Sequence, residues 1–401
     1  MTPDLDPIVI VGSARTPLGG FQGCFAGIGA PELGAAAIQA ALQRAGLAVE
    51  AVQEVFMGCV LPAGLGQAPV RQATLRAGLP HATGATLVSK VCGSGMKAVM
   101  LAHDQLRAGH GEACIAGGME SMTQAPYLLP KARGGQRLGH GELIDHLFFD
   151  GLEDRYTPQT RGRLMGTFAD DCARHFGFSR EAQDRWAVTS TERAQAALHD
   201  GAFETEIAPV TVPGRGGSHL TVVADELPPK VRLDKVATLR PAFGPDGTVT
   251  AANASSIADG AAALVLMRER RAEALGLRPL ARIVGHAQHA QEPCWFTTAP
   301  VGAVQRLLAA TGWRTTDVDL WEINEAFAVV TLAAMRELAL PPERVNVHGG
   351  ACALGHPIGA TGARLLVTLL GALQRHGLRR GVATLCIGGG EATAVAIERL
   401  G

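Results

Sequence analysis

The stretch "KVCGSGMKA", Lys90 to Ala98, places one cysteine where a run of β-forming residues gives way to a helix. The residues before it, "TLVSK", favour a strand, and the apolar residues after it repeat with helical spacing as far as Gly109. A thiol at a helix start lies near the positive end of the helix dipole, which favours a nucleophilic thiolate. Cys92 is therefore a candidate nucleophile, although a small buried cysteine beside a tight turn fits this stretch as well.

The same loop has a rival interpretation as a dinucleotide site. Gly93, Gly95 and Ala98 match the G-x-G-x-x-A fingerprint between a strand and a helix. The next strand ends in Gly117 and Gly118, with no clear ribose-binding acid at its tip. Because lone matches of this kind are weak, nicotinamide binding is the less favoured alternative.

A second motif, "VHGGACALGHPIGATG", spaces His348, Cys352 and His356 four residues apart. On one helix these residues would be metal ligands, but the glycines and Pro357 between and after them forbid a continuous helix. A histidine flanked by Gly and Pro at a loop tip suits a hydrogen-bond donor or a general base. His356 is thus a candidate base, with a structural role as the alternative.

Two further motifs follow predicted strands. "CIGGG" places Cys386 at a strand end, before glycines whose backbone N–H groups can form an oxyanion hole or merely a tight turn. In "NEAF", Asn324 is either a polar site residue or an ordinary helix N-cap. No single motif decides the chemistry.

The composition limits which partners are plausible. The 401 residues are 47% hydrophobic but only 4% aromatic and include 50 glycines, so closely packed helices and strands must form a large interior. A formal net charge of −1 without a long basic run argues against nucleic acid or an anionic membrane as the main partner. We expect a cytoplasmic protein, since the eight cysteines are scattered and the start lacks a secretory signal pattern.

Strands and helices alternate along the chain, which predicts an α/β fold with a mainly parallel sheet covered on both faces. Residues 121–249 are richer in charge and proline and read as an inserted loop or lid domain, with a helix capped by Ser179. The last third repeats the pattern of the first. We therefore predict an N-terminal half at 1–120 plus 250–275 and a similar C-terminal half at 276–401.

Taken together, the motifs identify a family. "SKVCGSGMKA", "GGMESM", "LRPAF", "NAS", "NEAFA", "GGACALGHPIGATGAR" and "CIGGG" occur in the order found in the thiolases, and the resemblance covers essentially the whole chain. Within that family the sequence looks most like the acetoacetyl-CoA thiolases. The resemblance implies the thiolase fold, two similar α/β halves in an αβαβα layering with an inserted loop domain, and an acetyl-CoA C-acetyltransferase activity.

The resemblance also implies roles for matching residues. Cys92 would be the acylated nucleophile, and His356 would activate it and later bind a thioester oxygen. Cys386 would be the acid/base that removes the α-proton. Asn324 would hold a water in one oxyanion hole, while the backbone N–H groups of Cys92 and Gly388 form the other.

The implied partners are acetyl-CoA, acetoacetyl-CoA and CoA, with no metal and no cofactor beyond these thioesters. The positions that the resemblance or the local charge suggests for CoA contact are Ser255, Met165, Leu152, Phe243, Lys230 and Arg232. A homo-oligomer, a dimer of dimers, is also implied, with the loop Lys131–His146 as its outer contact.

Several residues depart from the family pattern without removing a proposed catalytic group: Leu164, Ser256, Ala258, Cys352, Glu391 and Ala392. A broad or long-chain 3-ketoacyl-CoA thiolase of β-oxidation is therefore the alternative for substrate length. A decarboxylating ketosynthase typically has a histidine where Cys386 stands and is disfavoured. From another class, a non-catalytic lipid- or CoA-binding protein is disfavoured because all four proposed catalytic side chains are retained.

Overall fold

The structure, a computed structural model, describes residues 6–401. Within this range the strands are β1 (Ile8–Arg15), β2 (Gly19–Gly20), β3 (Glu54–Gly58), β4 (Gly84–Val88), β5 (Ala113–Ser121), β6 (Tyr127–Leu128), β7 (Ile144–Asp145), β8 (Val210–Pro213), β9 (His219–Val222), β10 (Ala258–Arg268), β11 (Ala281–Ala290), β12 (Leu320–Ile323), β13 (Arg380–Ile387) and β14 (Glu391–Arg399). The helices are α1 (Ala30–Ala45), α2 (Pro69–Arg76), α3 (Ser94–Arg107), α4 (Met165–Phe176), α5 (Arg180–His199), α6 (Glu269–Ala274), α7 (Ala299–Thr311), α8 (Ala328–Leu338), α9 (Ala351–Leu354) and α10 (Thr361–Arg375).

The central sheet has the strand order β12-β13-β14-β11-β1-β10-β5-β3-β4, with β2 paired to β10. Only β3 with β4, β3 with β5 and β12 with β13 pair in parallel, and the other neighbours are antiparallel. The prediction of a mainly parallel sheet is therefore wrong. One reason is local: the three glycines of "CIGGG" join β13 directly to β14, and a connection that short can only join antiparallel strands.

The helices divide into three layers around this sheet. In the middle, α3 and α10 share one apolar cluster with strands from both halves of the chain. In one outer layer, α1 and α2 pack against the N-terminal strands. In the other outer layer, α7 and α8 pack against the C-terminal strands. The predicted αβαβα layering is thus confirmed.

Local signals predicted two helices well. The helix expected from Pro31 to Gly46 is α1, which ends at Gly46 in the left-handed conformation (φ 64°) that favours glycine. The helix expected after Ser179 is α5, whose N-cap hydroxyl accepts a hydrogen bond from the Ala182 N–H at 3.2 Å.

The segment 121–249 contains two small two-stranded sheets, a π-helical turn at Leu147–Leu152, and α4 and α5. It is tied to the core through Arg15 of β1, whose fully buried guanidinium donates to Glu206 and to Asp225, each at 2.7 Å. The domain boundaries stay predictions. In the described range, no helix combines the length and apolar composition needed to cross a membrane.

Candidate active site

Three of the five predicted catalytic residues line one cleft of about 640 Å³. Cys92, His356 and Gly388 face this cleft, which lies between the central sheet and the inserted segment. Asn324 reaches the same place through His356, because its Nδ2 lies 3.5 Å from the imidazole Nε2. Cys386 is fully buried near the end of β13. Burial raises its pKa, and the charge of the nearby Cys92 raises it further, so the two sulfurs are neighbours. The structure therefore brings all five together.

A strained turn holds Cys92 in the cleft. The preceding residue, Val91, has φ 46°, a conformation that a β-branched residue rarely adopts and that costs about 1–3 kcal/mol. The Ser94 hydroxyl stabilises this turn, because it accepts from the Lys90 N–H at 2.8 Å and donates to the Val91 carbonyl at 2.7 Å. The side chain of Lys90 forms an ion pair with Glu391, which connects this loop to the first residue of β14.

Cys92 is a thiol rather than a thiolate in the resting protein. Burial raises its pKa to about 11, although hydrogen bonds from the backbone N–H groups of Gly388 and of Cys92 itself lower it in part. The hypothesis that the helix start makes a resting thiolate is therefore wrong, since desolvation outweighs the dipole and the backbone donors. Both N–H groups therefore lie near the sulfur, and the oxyanion hole itself stays a prediction.

The pH dependence of alkylation tests this protonation state. With a pKa of about 11, the thiolate fraction of Cys92 grows about tenfold per pH unit through the neutral and mildly alkaline range. We expect iodoacetamide to alkylate the peptide containing Cys92, quantified by mass spectrometry, at a rate that rises without a plateau from about pH 7 to pH 9. A plateau below pH 8 would contradict the raised pKa.

His356 is poised as a neutral base. Its Nδ1 lies 2.6 Å from the hydroxyl of Thr361, and that hydroxyl donates its own proton to the Pro357 carbonyl at 2.9 Å. The hydroxyl must therefore accept from Nδ1–H, which leaves the lone pair on Nε2, the nitrogen nearest Asn324. Burial, aided by the charge of Arg364, lowers the pKa of His356 to about 3, so the ring is neutral at physiological pH.

Thr361 was not singled out from the sequence, and its effect is testable. In Thr361→Val, a near-isosteric change, Nδ1–H loses its acceptor and the tautomer is no longer fixed. We expect kcat to fall by about 10–100-fold, within what a positioned general base contributes, with a smaller change in KM. Thr361→Ser retains the hydroxyl and is the matched control; equal losses in both variants would contradict the tautomer role.

Asn324 is buried, and its amide oxygen has no hydrogen-bond partner among the described residues. The alternative that it caps a helix is wrong, because α8 begins four residues later at Ala328, with Phe327 at the cap position. Instead the backbone N–H of Asn324 donates to the Thr384 carbonyl at 3.0 Å, which fixes it beside β13. An unpartnered buried carbonyl oxygen is suited to hold an ordered water.

Glu120 supports the His356 loop from beneath, a role that the sequence did not reveal. Its buried carboxylate accepts from the backbone N–H groups of Val60 (2.9 Å), Leu61 (3.1 Å) and Gly359 (2.8 Å). Burial raises its pKa to about 7 despite these donors. An acidic residue at the end of an otherwise apolar strand was the available signal.

Glu325, next to Asn324, plays a similar part. Its carboxylate accepts from Trp186 Nε1 (3.0 Å), the Ser190 hydroxyl (2.7 Å), Asn346 Nδ2 (2.8 Å) and the Cys352 N–H (3.0 Å). These donors join the end of β12 to α5, to the loop before α9 and to α9 itself. The same signal, a charged residue inside an apolar run, marks Glu325 in "NEAF".

The structure places four of the six predicted CoA contacts in the cleft and two outside it. Ser255, Met165, Leu152 and Phe243 all line the cleft. Lys230 and Arg232 do not; they form ion pairs with Glu226 at 2.5 Å and Asp234 at 3.0 Å, respectively. A phosphate contact by either cation stays a prediction, and it would require leaving its present partner.

The chain matches known proteins over nearly its whole length. The family model "Thiolase, N-terminal domain" matches residues 8–270 and "Thiolase, C-terminal domain" matches residues 277–399. An acetyl-CoA acetyltransferase of Cupriavidus necator is 48% identical over 393 residues, which cover 98% of this chain and 99% of the relative. Acetyl-CoA acetyltransferase 2 of Arabidopsis thaliana is 50% identical over 395 residues, 98% of this chain and 97% of the relative.

Two solved structures are similar throughout. The acetyl-CoA acetyltransferase of Bacillus anthracis superimposes with a TM-score of 0.95 at 40% identity, covering 99% of both chains. The Acat5 thiolase of Ascaris suum, solved in complex with coenzyme A, gives a TM-score of 0.92 at 39% identity, covering 98% of this chain and 100% of that one.

Proposed function

Because this chain belongs to the thiolase family of acyltransferases, we propose that it catalyses the reversible condensation of two acetyl-CoA to acetoacetyl-CoA and CoA through an acyl-Cys92 intermediate. One observation carries the proposal. The backbone N–H groups of Cys92 and Gly388 both lie near enough to the Cys92 sulfur to lower its pKa, and Cys92, Gly388 and a neutral His356 line the same cleft. An acyl group on that sulfur would place its carbonyl oxygen beside these two donors.

The first half-reaction transfers the acetyl group. His356 Nε2 takes the proton of the Cys92 thiol as the sulfur attacks the thioester carbonyl of acetyl-CoA. The carbon–sulfur bond to CoA then breaks, and the Cys386 thiol gives its proton to the departing CoA sulfur. The products are acetyl-Cys92, free CoA, an imidazolium on His356 and a thiolate on Cys386.

The second half-reaction forms the carbon–carbon bond. The Cys386 thiolate removes an α-proton from a second acetyl-CoA, and the resulting carbanion attacks the acetyl-Cys92 carbonyl. The bond from that carbonyl to Cys92 breaks, and His356 returns its proton to the Cys92 sulfur. Acetoacetyl-CoA leaves, and all three groups are again in their starting protonation states.

The electrostatics of the site favour this coupled order. A lone charge on Cys386 or on His356 would be costly, as the raised pKa of the thiol and the lowered pKa of the imidazole both indicate. In the proposed sequence the two charges arise together with opposite signs, so the net charge of the buried site does not change. A water held by Asn324, together with the His356 ring, would stabilise the enolate oxygen of the second substrate.

Substrate length is tested by turnover. We expect CoA-dependent cleavage of acetoacetyl-CoA, followed by loss of the ketoacyl thioester, to have a higher kcat/KM than cleavage of a long-chain 3-ketoacyl-CoA. A preference for the long chain would assign the protein to the broad or long-chain thiolases instead. Turnover of neither substrate would favour a non-catalytic CoA-binding protein.

We further propose a cytoplasmic homo-oligomer, a dimer of dimers, in which the loop Lys131–His146 contributes an outer contact. Leu138 near the tip of this loop is 98% exposed and Leu143 is 67% exposed, which leaves apolar side chains for a second copy to cover. Sedimentation analysis should therefore show a species larger than the 41.7 kDa chain. A monomer at micromolar concentration would contradict this proposal.

A further inference from the structure

A cluster of two histidines and one aspartate lies outside the catalytic cleft, between α3 and β11. His103 and Asp104 lie near the end of α3, and His286 lies in the middle of β11, 182 residues further along. Among residues 6–401, these three form the one group of His, Cys, Asp or Glu side chains whose ligand atoms come together closely enough to share a metal ion.

The spacing of the three ligand atoms suits one small divalent cation. Asp104 Oδ1 lies 3.1 Å from His103 Nδ1 and 2.8 Å from His286 Nε2, and each of the three side chains offers a ligand atom within 4.8 Å of the other two. Two atoms bound to one tetrahedral Zn²⁺ at about 2.0–2.1 Å lie about 3.3 Å apart. Two of the three separations are therefore close to the required value already, and the third, between the two histidines, is no more than 4.8 Å.

The surroundings leave the cluster open on one side. His103 is only 8% exposed and its ring meets the ring of His286 edge to face, with centroids 5.0 Å apart, so these two ligands are held by packing. The side chain of Asp104 is 55% exposed, which gives an ion a path from solvent and leaves room for water as a further ligand. A site with a fixed pair of imidazoles and an accessible carboxylate requires little reorganisation to bind a metal.

We propose that His103, Asp104 and His286 form a binding site for a first-row divalent cation of the Zn²⁺ class. Two imidazoles and one carboxylate are ligands that Zn²⁺, Co²⁺ and Ni²⁺ accept, whereas Mg²⁺ and Ca²⁺ prefer all-oxygen sites. Binding breaks the two hydrogen bonds to Asp104 and forms three metal–ligand bonds. Each neutral ring keeps one proton, which moves to its other nitrogen.

The site would act on stability rather than on the acyl transfer. Because α3 follows the Cys92 loop and β11 belongs to the C-terminal part of the sheet, an ion here would fasten two parts of the chain that are distant in sequence. A ligand that binds only the folded state raises the free energy of unfolding. The inference does not depend on the proposed activity and revises the expectation that the protein has no metal site.

Titration of the full-length protein with Co²⁺, followed by visible absorption, tests the proposal. We expect saturation at about one Co²⁺ per chain, with the spectrum of nitrogen and oxygen ligands and without a thiolate charge-transfer band. Asp104→Asn, an exposed and near-isosteric change, should weaken binding by about 10–100-fold or more, and His286→Ala should do the same. Zn²⁺ should displace Co²⁺ and raise the melting temperature of the wild type but not of Asp104→Asn.

The chain offers a matched control in His199 and Asp200, an adjacent exposed pair at the end of α5 whose side chains lie 2.9 Å apart without a third ligand among the described residues. His199→Ala should bind Co²⁺ like the wild type. Absence of saturable binding, equal affinity in Asp104→Asn and the wild type, or a spectrum dominated by thiolate ligands would each overturn the proposal. Because Asp104 is exposed, its variant should fold, and circular dichroism checks this.

Discussion

Replacing Cys92 by Ala is expected to lower kcat by at least about 10⁴-fold and to abolish the acyl-enzyme. Among the described residues, Cys92 is the one cysteine that lines the cleft, and two backbone N–H groups lie near its sulfur. Incubation with acetyl-CoA, acid quenching and mass spectrometry should show one acetyl group on the wild-type chain, on the peptide that contains Cys92. The variant should show none.

Cys24→Ala provides the control for loss of a thiol as such. Cys24 is a partly buried free cysteine that does not line the cleft, and burial, together with its contact with Glu226, raises its pKa to about 12. Its variant should retain both the acetylated peptide and turnover. Unchanged turnover in Cys92→Ala, with folding verified by circular dichroism, would reject the covalent mechanism.

The site residues that could be predicted are those marked by their immediate neighbours in the sequence. A cysteine between a strand and a helix, a histidine in a Gly-Pro loop and glycines after a strand each carry their own signal, and the structure places Cys92, His356 and Gly388 in one cleft. Helices α1 and α5 were also predictable, because proline, glycine and serine at their ends act within one turn.

What could not be predicted depends on partners distant in sequence. Strand pairing decides that the sheet is mixed, and burial by the whole fold decides that Cys92 is a thiol. The carboxylate of Glu120 meets Gly359 across 239 residues, and no local pattern encodes that contact. Lys230 is an exception, because its ion-pair partner Glu226 lies only four residues earlier in the sequence.

Replacing Cys386 by Ala is expected to separate the two half-reactions. Cys386→Ala removes the group that takes the α-proton but leaves Cys92, His356 and the two N–H donors in place. We expect condensation of acetyl-CoA, and likewise thiolysis of acetoacetyl-CoA, to slow by about 10²–10⁴-fold, the usual contribution of a positioned acid/base. Acetylation of Cys92 should persist, since its nucleophile and its base are both retained, although release of CoA loses its proton donor.

Two assays on Cys386→Ala distinguish this role from a structural one. The side chain of Cys386 is fully buried and packs in an apolar cluster with Phe168 and Phe296, and its replacement by Ala removes only one sulfur atom. Cys172→Ala makes the same change in the same cluster and is the matched control. Exchange of hydrogen at the α-carbon of acetyl-CoA with deuterated water reports proton removal without bond formation. We expect the wild type and Cys172→Ala to catalyse this exchange and Cys386→Ala to lose it while still forming acetyl-Cys92. If Cys386→Ala retained the exchange, the α-base would not be Cys386. The role would pass to His356, because in the acetylated enzyme the Cys92 sulfur carries the acetyl group and cannot accept the proton.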